Sequence, residues 1–203
     1  MQRLLSLPVM LLLVAVVFSF TTNPSNRGSS EPILQDDQKQ ESLLAFNKMM
    51  DVLTHQRCVN CHPSDNVPKQ GEDRHPHRFG ITRANSVGAA TNCNTCHQDE
   101  NNASSGVPGA PEWSLAPHEM RWEGLSRIEI AKSMMNKTIN GNRSADDIMH
   151  HLTEHELVLW AWEPGVDASG KERELPPVPM DEYIAAVKKW IDLGAIIPEE
   201  TTE

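Results

Sequence analysis

Apolar residues recur at helical spacing in several stretches of the chain, and no stretch shows the strict apolar–polar alternation of strands joined by hairpin turns. The first of these stretches covers residues 41–55 and brings Leu43, Phe46, Met50 and Leu53 onto one face. This spacing predicts an amphipathic helix whose apolar face packs on a core.

Two further helices are predicted after residue 125. Ser126 followed by Glu129 forms a capping box at the start of a helix over residues 126–138. Ser144 caps another helix over residues 145–162, which stops at a Pro-Gly pair. The inward face of that helix mixes apolar residues with histidines: Ile148, His151, Leu152, His155 and Leu159.

A fourth helix is predicted to begin near Asp181, with an apolar stripe of Ile184, Val187 and Ile191, and to end at Gly194. The four predicted helices are separated by polar segments rich in proline and glycine. The pattern therefore favours a mostly α fold with long irregular loops.

The N-terminal segment reads as an export signal. Residues 1–20 begin with a short positively charged region and continue as a nearly unbroken apolar run. The run is short for a membrane span, which needs about 20 apolar residues, so a signal peptide is favoured over a retained N-terminal anchor. Residues 21–40 are predicted to form a flexible leader, 41–198 a single domain, and 199–203 a disordered tail.

All four cysteines fall in two copies of one pattern, C-x-x-C-H, at residues 58–62 and 93–97. This is the attachment sequence of a c-type haem. Two intervening residues let one turn of backbone present both thiols to the vinyl groups at one porphyrin edge, and the next histidine ligates the iron. The sequence thus predicts two haem c groups, with thioethers to Cys58, Cys61, Cys93 and Cys96 and proximal iron ligands His62 and His97.

Three other interpretations of the cysteines remain open at this point. They could form disulfides, which an exported chain permits, or bind structural zinc as two C-x-x-C knuckles. They could also be redox-active dithiols, because C-x-x-C sequences lower the pKa of a thiol. None of these requires a histidine directly after each second cysteine.

Composition agrees with bound cofactors. Aromatic residues make up only 5% of the chain, beside 14 prolines and 11 glycines, so the polypeptide alone would form a thin core. Two porphyrins would supply apolar bulk, and the haem-free chain is expected to fold poorly. The net charge of −10 without a basic stripe argues against nucleic acid as a partner. An acidic surface either keeps the protein soluble or steers it toward a basic redox partner.

Several sequence blocks resemble a group of small exported dihaem c-type cytochromes, described as cytochrome subunits associated with isoquinoline 1-oxidoreductase, a molybdenum hydroxylase. The last helix, at residues 190–195, also looks like the terminal helix of cytochrome c domains. The resemblance covers about residues 41–197. Its blocks are residues 57–63, 75–77, 92–98, 107–113, 120–124, His151 and 157–165.

This resemblance implies a small helical cytochrome c-like domain wrapped around two covalent haems. It implies electron transfer with a redox protein, such as a molybdenum hydroxylase or another periplasmic dehydrogenase. The expected location is periplasmic or exported, with membrane attachment only through an uncleaved N-terminus.

Each iron also needs a partner on its distal side if it is six-coordinate. His77 lies in the proline-rich loop between the motifs and matches a histidine of the group, and His151 lies on the inward face of a predicted helix. Both are predicted distal ligands, with Met120 as the alternative. Trp113, Trp122, Trp160 and Trp162 are expected to flank the porphyrins or to add core area.

Two functions follow from these predictions. The first is an electron carrier with two six-coordinate irons and no catalytic residue of its own. The second is a dihaem enzyme such as a peroxidase, with one open iron and an acid–base group such as Glu123 or Glu154 above it.

Overall fold

The computed structural model describes residues 31–83 and 92–199, and this part of the chain is rich in helix with little sheet. The predicted mostly α fold is therefore confirmed. The predicted export segment, the first ten residues of the predicted leader and the last four residues of the predicted tail lie outside the described residues. Within the described residues, no helix is long and apolar enough to cross a membrane.

The first helix, α1, runs from Glu31 to Leu53 and so begins earlier than predicted. Residues 31–40, which the sequence assigns to the leader, are part of it; they are mostly good helix formers, and residues 35–40 are exposed. Phe46, Met50 and Leu53 are buried as predicted. A short helix, α2, follows directly over Gln56–Val59.

The predicted capping box at Ser126 and the predicted N-cap at Ser144 are both present. In α3, over Arg127–Met135, the Ser126 backbone N donates to Glu129 Oε2 at 2.7 Å and the Glu129 N donates to Ser126 Oγ at 3.2 Å. The helix ends three residues earlier than predicted because Asn136 adopts an extended conformation and caps it. In α4, over Ala145–Glu154, Ser144 and Asp147 form the second box.

The helix predicted over residues 145–162 is wrong in one respect, because it is broken at His155. His155 is extended, with φ −73° and ψ 121°, and separates α4 from α5, which covers Glu156–Leu159. The His155 carbonyl accepts a hydrogen bond from the Val158 N at 2.9 Å, and this bond starts the new helix. A 3₁₀ turn over Trp160–Trp162 follows α5.

The last helix, α6, covers Met180–Asp192 and packs against α1 and α4. Its fully buried face consists of Tyr183, Val187 and Trp190. The predicted stripe was therefore rotated, since Ile184 and Ile191 are only half-buried. The main core lies between α1, α3, α4 and α6.

A small antiparallel hairpin, which the sequence pattern did not predict, joins β1 at Lys69–Gln70 to β2 at His75–Pro76. Strands of two residues are too short to show alternation. The hairpin continues into His77, whose backbone N donates to the Pro68 carbonyl at 2.8 Å. The loop between the two cysteine motifs is thus anchored at this point.

Phe79, just beyond the hairpin, has φ +62° and is 90% exposed. A bulky residue in the left-handed region is strained, whereas glycine is not. We expect Phe79→Gly to raise the free energy of unfolding by about 1 kcal/mol, measured by urea denaturation. Phe79→Ala keeps the Cβ and serves as the control without this gain; equal effects of the two variants would contradict the strain.

Candidate functional site

The first motif is presented by a helical turn at the end of α1. Cys58 lies in α2, and the chain continues the turn because Cys61 N donates to the Cys58 carbonyl at 3.2 Å and His62 N to the Val59 carbonyl at 3.0 Å. Both thiols and the imidazole are therefore delivered by one compact stretch of backbone. The adjoining Arg57 is buried and holds this turn to the rest of the protein through Glu72.

The ring of His62 is fixed in orientation and in tautomer. Its Nδ1 donates to the Met120 carbonyl at 2.7 Å, because a carbonyl only accepts. The indole of Trp122 stacks on the ring with centroids 3.7 Å apart and planes at 10°. Since Nδ1 carries the proton, Nε2 has a free lone pair, as in metal-ligating histidines whose other nitrogen donates to a carbonyl.

The second motif repeats this arrangement with different partners. Its cysteines lie on a 3₁₀ turn over Cys93–Thr95, and the His97 N donates to the Cys93 carbonyl at 2.9 Å. His97 Nδ1 donates to the Pro108 carbonyl at 2.7 Å, and Trp113 stacks on the ring at 4.5 Å and 5°. Two separate segments thus give each histidine an open Nε2, a carbonyl acceptor and a parallel indole.

A cavity of about 290 Å³ adjoins the first motif. Cys58, Cys61 and His62 line it together with apolar side chains. Trp122 lines the same cavity, and its buried indole N–H has no hydrogen-bond partner among the described residues. Much of the apolar wall is supplied by Leu53, Ala116, Met134, Ile148, Leu152 and Val158.

The thiols of the first motif are in their neutral form. Burial raises the pKa of Cys58 to about 12, and burial with the neighbouring Cys93 raises the pKa of Cys61 to about 11. A redox-active dithiol instead needs a lowered thiol pKa. All four cysteines lie in the described residues and none forms a disulfide. Within the part of the chain that the structure describes, no group of three or more His, Cys, Asp or Glu side chains is placed to hold a metal ion.

His77 faces the second motif. Its ring centroid lies 6.0 Å from that of His97, with the planes at 66°. Two imidazoles that bind one metal from opposite sides have centroids about 6.5 Å apart, given a metal–nitrogen distance of about 2.1 Å and a nitrogen-to-centroid distance of about 1.1 Å. His77 Nδ1 donates to the Arg78 carbonyl at 2.8 Å, so its Nε2 is also open. The structure thus places His77 beside His97, and its distal role stays a prediction.

His151 shares the cavity of the first motif with His62. Burial lowers the pKa of each imidazole to about 4, and the charge of Arg143 adds to the effect at His151. Both rings are therefore neutral at physiological pH, which is the form that ligates iron. The structure places His151 beside the first motif, a choice between the two motifs that the sequence left open.

Met120 lines the cavity of the first motif together with His62 and His151. It is only 5% exposed and belongs to the core cluster, and its carbonyl accepts the His62 Nδ1–H. The contact that the structure shows is the one in which the backbone oxygen of Met120 orients the His62 ring. This contact could not be predicted from the sequence, because it joins residues 58 positions apart.

Sequence reasoning missed Glu112 and Tyr183 beside the first motif, whereas it placed His155 on the inward face of a helix. Glu112 and His155 line the cavity, and His155 Nε2 lies 3.1 Å from Glu112 Oε2. Tyr183 of α6 is fully buried near Cys58, its hydroxyl has no partner among the described residues, and burial raises its pKa. Neither Glu123 nor Glu154 lines the cavity. Glu123 forms a salt bridge with Arg74, and Glu154 is exposed beside His150.

The two sites are separated by a single stretch of chain. Glu112, Ser114 and Leu115 line the cavity of the first motif, whereas Trp113 between them stacks on His97 of the second. Trp113 in turn contacts Trp160 edge-on, with centroids 4.8 Å apart. Groups bound at the two motifs would therefore be neighbours. Comparison of the chain with models of protein families, with curated proteins and with solved structures finds no match to any of them.

Proposed function

We propose that the protein is an exported dihaem c-type cytochrome that transfers electrons between a periplasmic dehydrogenase and a respiratory chain. The observation that carries this proposal is the repeated arrangement of His62 and His97. Each follows a C-x-x-C pair, donates Nδ1–H to a backbone carbonyl at 2.7 Å and stacks on a tryptophan. Disulfides, zinc knuckles and dithiols do not require this arrangement.

The residues that would hold the two haems are then assigned. Cys58 and Cys61 form the thioethers of the first, and Cys93 and Cys96 those of the second. The proximal ligands are His62 and His97, opposed by His151 and His77. When bound, each haem supplies one reversible electron step. Burial lowers the pKa of His62, His97 and His151, which favours the neutral imidazole, and backbone carbonyls orient His62, His97 and His77.

Arg143 lines the cavity of the first motif, and its guanidinium has no salt-bridge partner in the described part of the chain. We assign it to a haem carboxylate, because a half-buried cation beside an apolar cavity suits an anionic group. The electron donor proposed for the protein is a molybdenum hydroxylase or another dehydrogenase of the periplasm.

The test is expression in a bacterial host that attaches haem to exported cytochromes. Intact-mass and pyridine haemochrome measurements should give two covalent haems per chain, and the absorption spectrum should be low-spin and reversible on reduction and reoxidation. The control is the same chain produced without haem maturation. Purified protein that contains zinc or disulfides in place of haem would refute the proposal.

The enzyme alternative is favoured by one observation, the Glu112–His155 pair at the cavity of the first motif. An imidazole paired with a carboxylate is a suitable acid–base group for peroxide chemistry if His151 does not ligate the iron. Fast cyanide binding and turnover of hydrogen peroxide would support this function. Two irons that stay low-spin and bind no added ligand would leave only the electron carrier.

A further inference from the structure

The charge of the chain is unevenly distributed around the second motif. Residues 74–98 contain Arg74, Arg78 and Arg83 but no aspartate or glutamate, although the whole chain has a net charge of −10. The remainder of the protein is therefore more acidic than the average suggests. The segment includes the second motif, the predicted ligand His77 and the exposed turn that follows it.

The acidic residues that precede this segment are already paired, whereas Asp99 and Glu100, which follow it directly, are exposed. Asp65 contacts Lys69 at 3.0 Å, Asp73 contacts His75 at 2.6 Å, and Glu72 contacts Arg57. Arg74 is itself paired with Glu123 at 2.7 Å. Arg78, by contrast, is exposed and has no carboxylate within salt-bridge distance among the described residues, so its positive charge is uncompensated.

Phe79 extends this positive surface with an aromatic ring. It is 90% exposed on the 3₁₀ turn over Arg78–Gly80 and has φ +62°. An exposed aromatic residue in a strained conformation is unfavourable for the isolated protein, and such strain is concentrated at functional positions. Arginine and aromatic residues are also the side chains enriched at protein interfaces.

The second motif is much closer to solvent than the first. Asn94, Thr95 and Cys96 are exposed, whereas Val59 and Asn60 at the corresponding place in the first motif are buried. The 6.0 Å separation of the His77 and His97 rings puts the turn with Arg78 and Phe79 at the edge of the second motif. An electron leaving or entering here would have the shortest route to a partner.

We propose that Arg78, Phe79 and the second motif form a docking surface for an acidic face of a redox partner protein. This inference rests on the proposed function. Complementary charge would steer the partner to the exposed site, and Phe79 would pack against it once bound. The acidic remainder of the chain would repel the same partner, so docking at other surfaces is disfavoured. The partner is therefore acidic at its contact face, although the whole-chain charge alone favours a basic one.

The experiment uses hexacyanochromate(III), an inert paramagnetic trianion, as a stand-in for the acidic surface. It is titrated into reduced, ¹⁵N-labelled holoprotein at low ionic strength, and broadening of amide signals is recorded. We expect the strongest broadening at residues 78–80 and 92–97. Arg78→Glu should remove most of it, whereas the matched charge reversal Lys188→Glu, at an exposed position of α6, should not.

Kinetics give a second measurement on the same variants. Oxidation of the reduced protein by ferricyanide should be about fivefold slower in Arg78→Glu at low salt, and the difference should vanish near 0.5 M salt because screening removes it. Oxidation by a cationic ruthenium ammine should change in the opposite direction.

Broadening centred elsewhere, or equal effects of Arg78→Glu and Lys188→Glu, would overturn the docking surface while two covalent haems would still uphold the proposed function. A chain without covalent haem, seen in its absorption spectrum before any titration, would remove both.

Discussion

The double substitution Cys58→Ser and Cys61→Ser is expected to remove one haem and to leave the protein largely unfolded. The first motif borders a cavity of about 290 Å³ inside the helical core. At about 24 cal/mol per Å³, an unfilled cavity of that size costs about 7 kcal/mol. This is comparable with the whole stability of a domain, about 5–15 kcal/mol, so the helices around it should not remain packed.

The matched control is Cys93→Ser with Cys96→Ser. These residues lie on an exposed 3₁₀ turn, and neither belongs to the core cluster. We expect this variant to lose the other haem but to keep its helices and a cooperative unfolding transition. Intact mass reports the haem count, and far-ultraviolet circular dichroism with thermal unfolding reports the fold. Equal destabilisation by the two pairs would contradict the distinct burial of the two motifs.

Local signals in the sequence predicted much of this molecule. The two C-x-x-C-H patterns predict the residues that would hold haem because that chemistry depends on adjacent positions. Ser126 and Ser144 were recognised as helix N-caps because capping boxes are formed within four residues. The helices themselves were found because apolar periodicity persists over several turns.

Features that depend on distant contacts were not predictable. The break at His155 interrupts a continuous helical pattern, and the side chain that holds His155 there, Glu112, is 43 positions away. The rotated face of α6 has a similar origin, because Tyr183 and Trp190 are buried by α1 and its neighbours. Tyrosine is less hydrophobic than isoleucine, so the hydropathy pattern does not indicate that Tyr183 rather than Ile184 is buried.

The pairing of each histidine with a tryptophan is the part of the site that the sequence left open. Trp113 and Trp122 were predicted only to flank the porphyrins or to fill the core. The structure stacks them on His97 and His62, 16 and 60 residues away along the chain. One segment of chain, which contains both tryptophans, therefore stacks on the imidazoles of both motifs. This segment connects the two sites.

Removing the distal ligands should produce the second large effect. In low-temperature electron paramagnetic resonance of the oxidised protein, His77→Ala is expected to convert one of two low-spin signals to high-spin and His151→Ala the other. The reason for His77 is its ring, 6.0 Å from that of His97, and for His151 it is the cavity that it shares with His62. Each variant should also bind cyanide at one iron only.

The controls separate ligation from general damage to the loop or helix. His75→Ala changes a histidine that pairs with Asp73 in the same hairpin, and His150→Ala changes an exposed neighbour of His151. Both should keep two low-spin signals. Met120→Ala should keep them too, because the backbone carbonyl that orients His62 is retained.

Loss of a low-spin signal in Met120→Ala, with none in His151→Ala, would instead make the thioether the distal ligand of the first iron. An iron that is high-spin before any substitution would move the protein from electron carrier to enzyme, with Glu112 and His155 as the groups beside its open position.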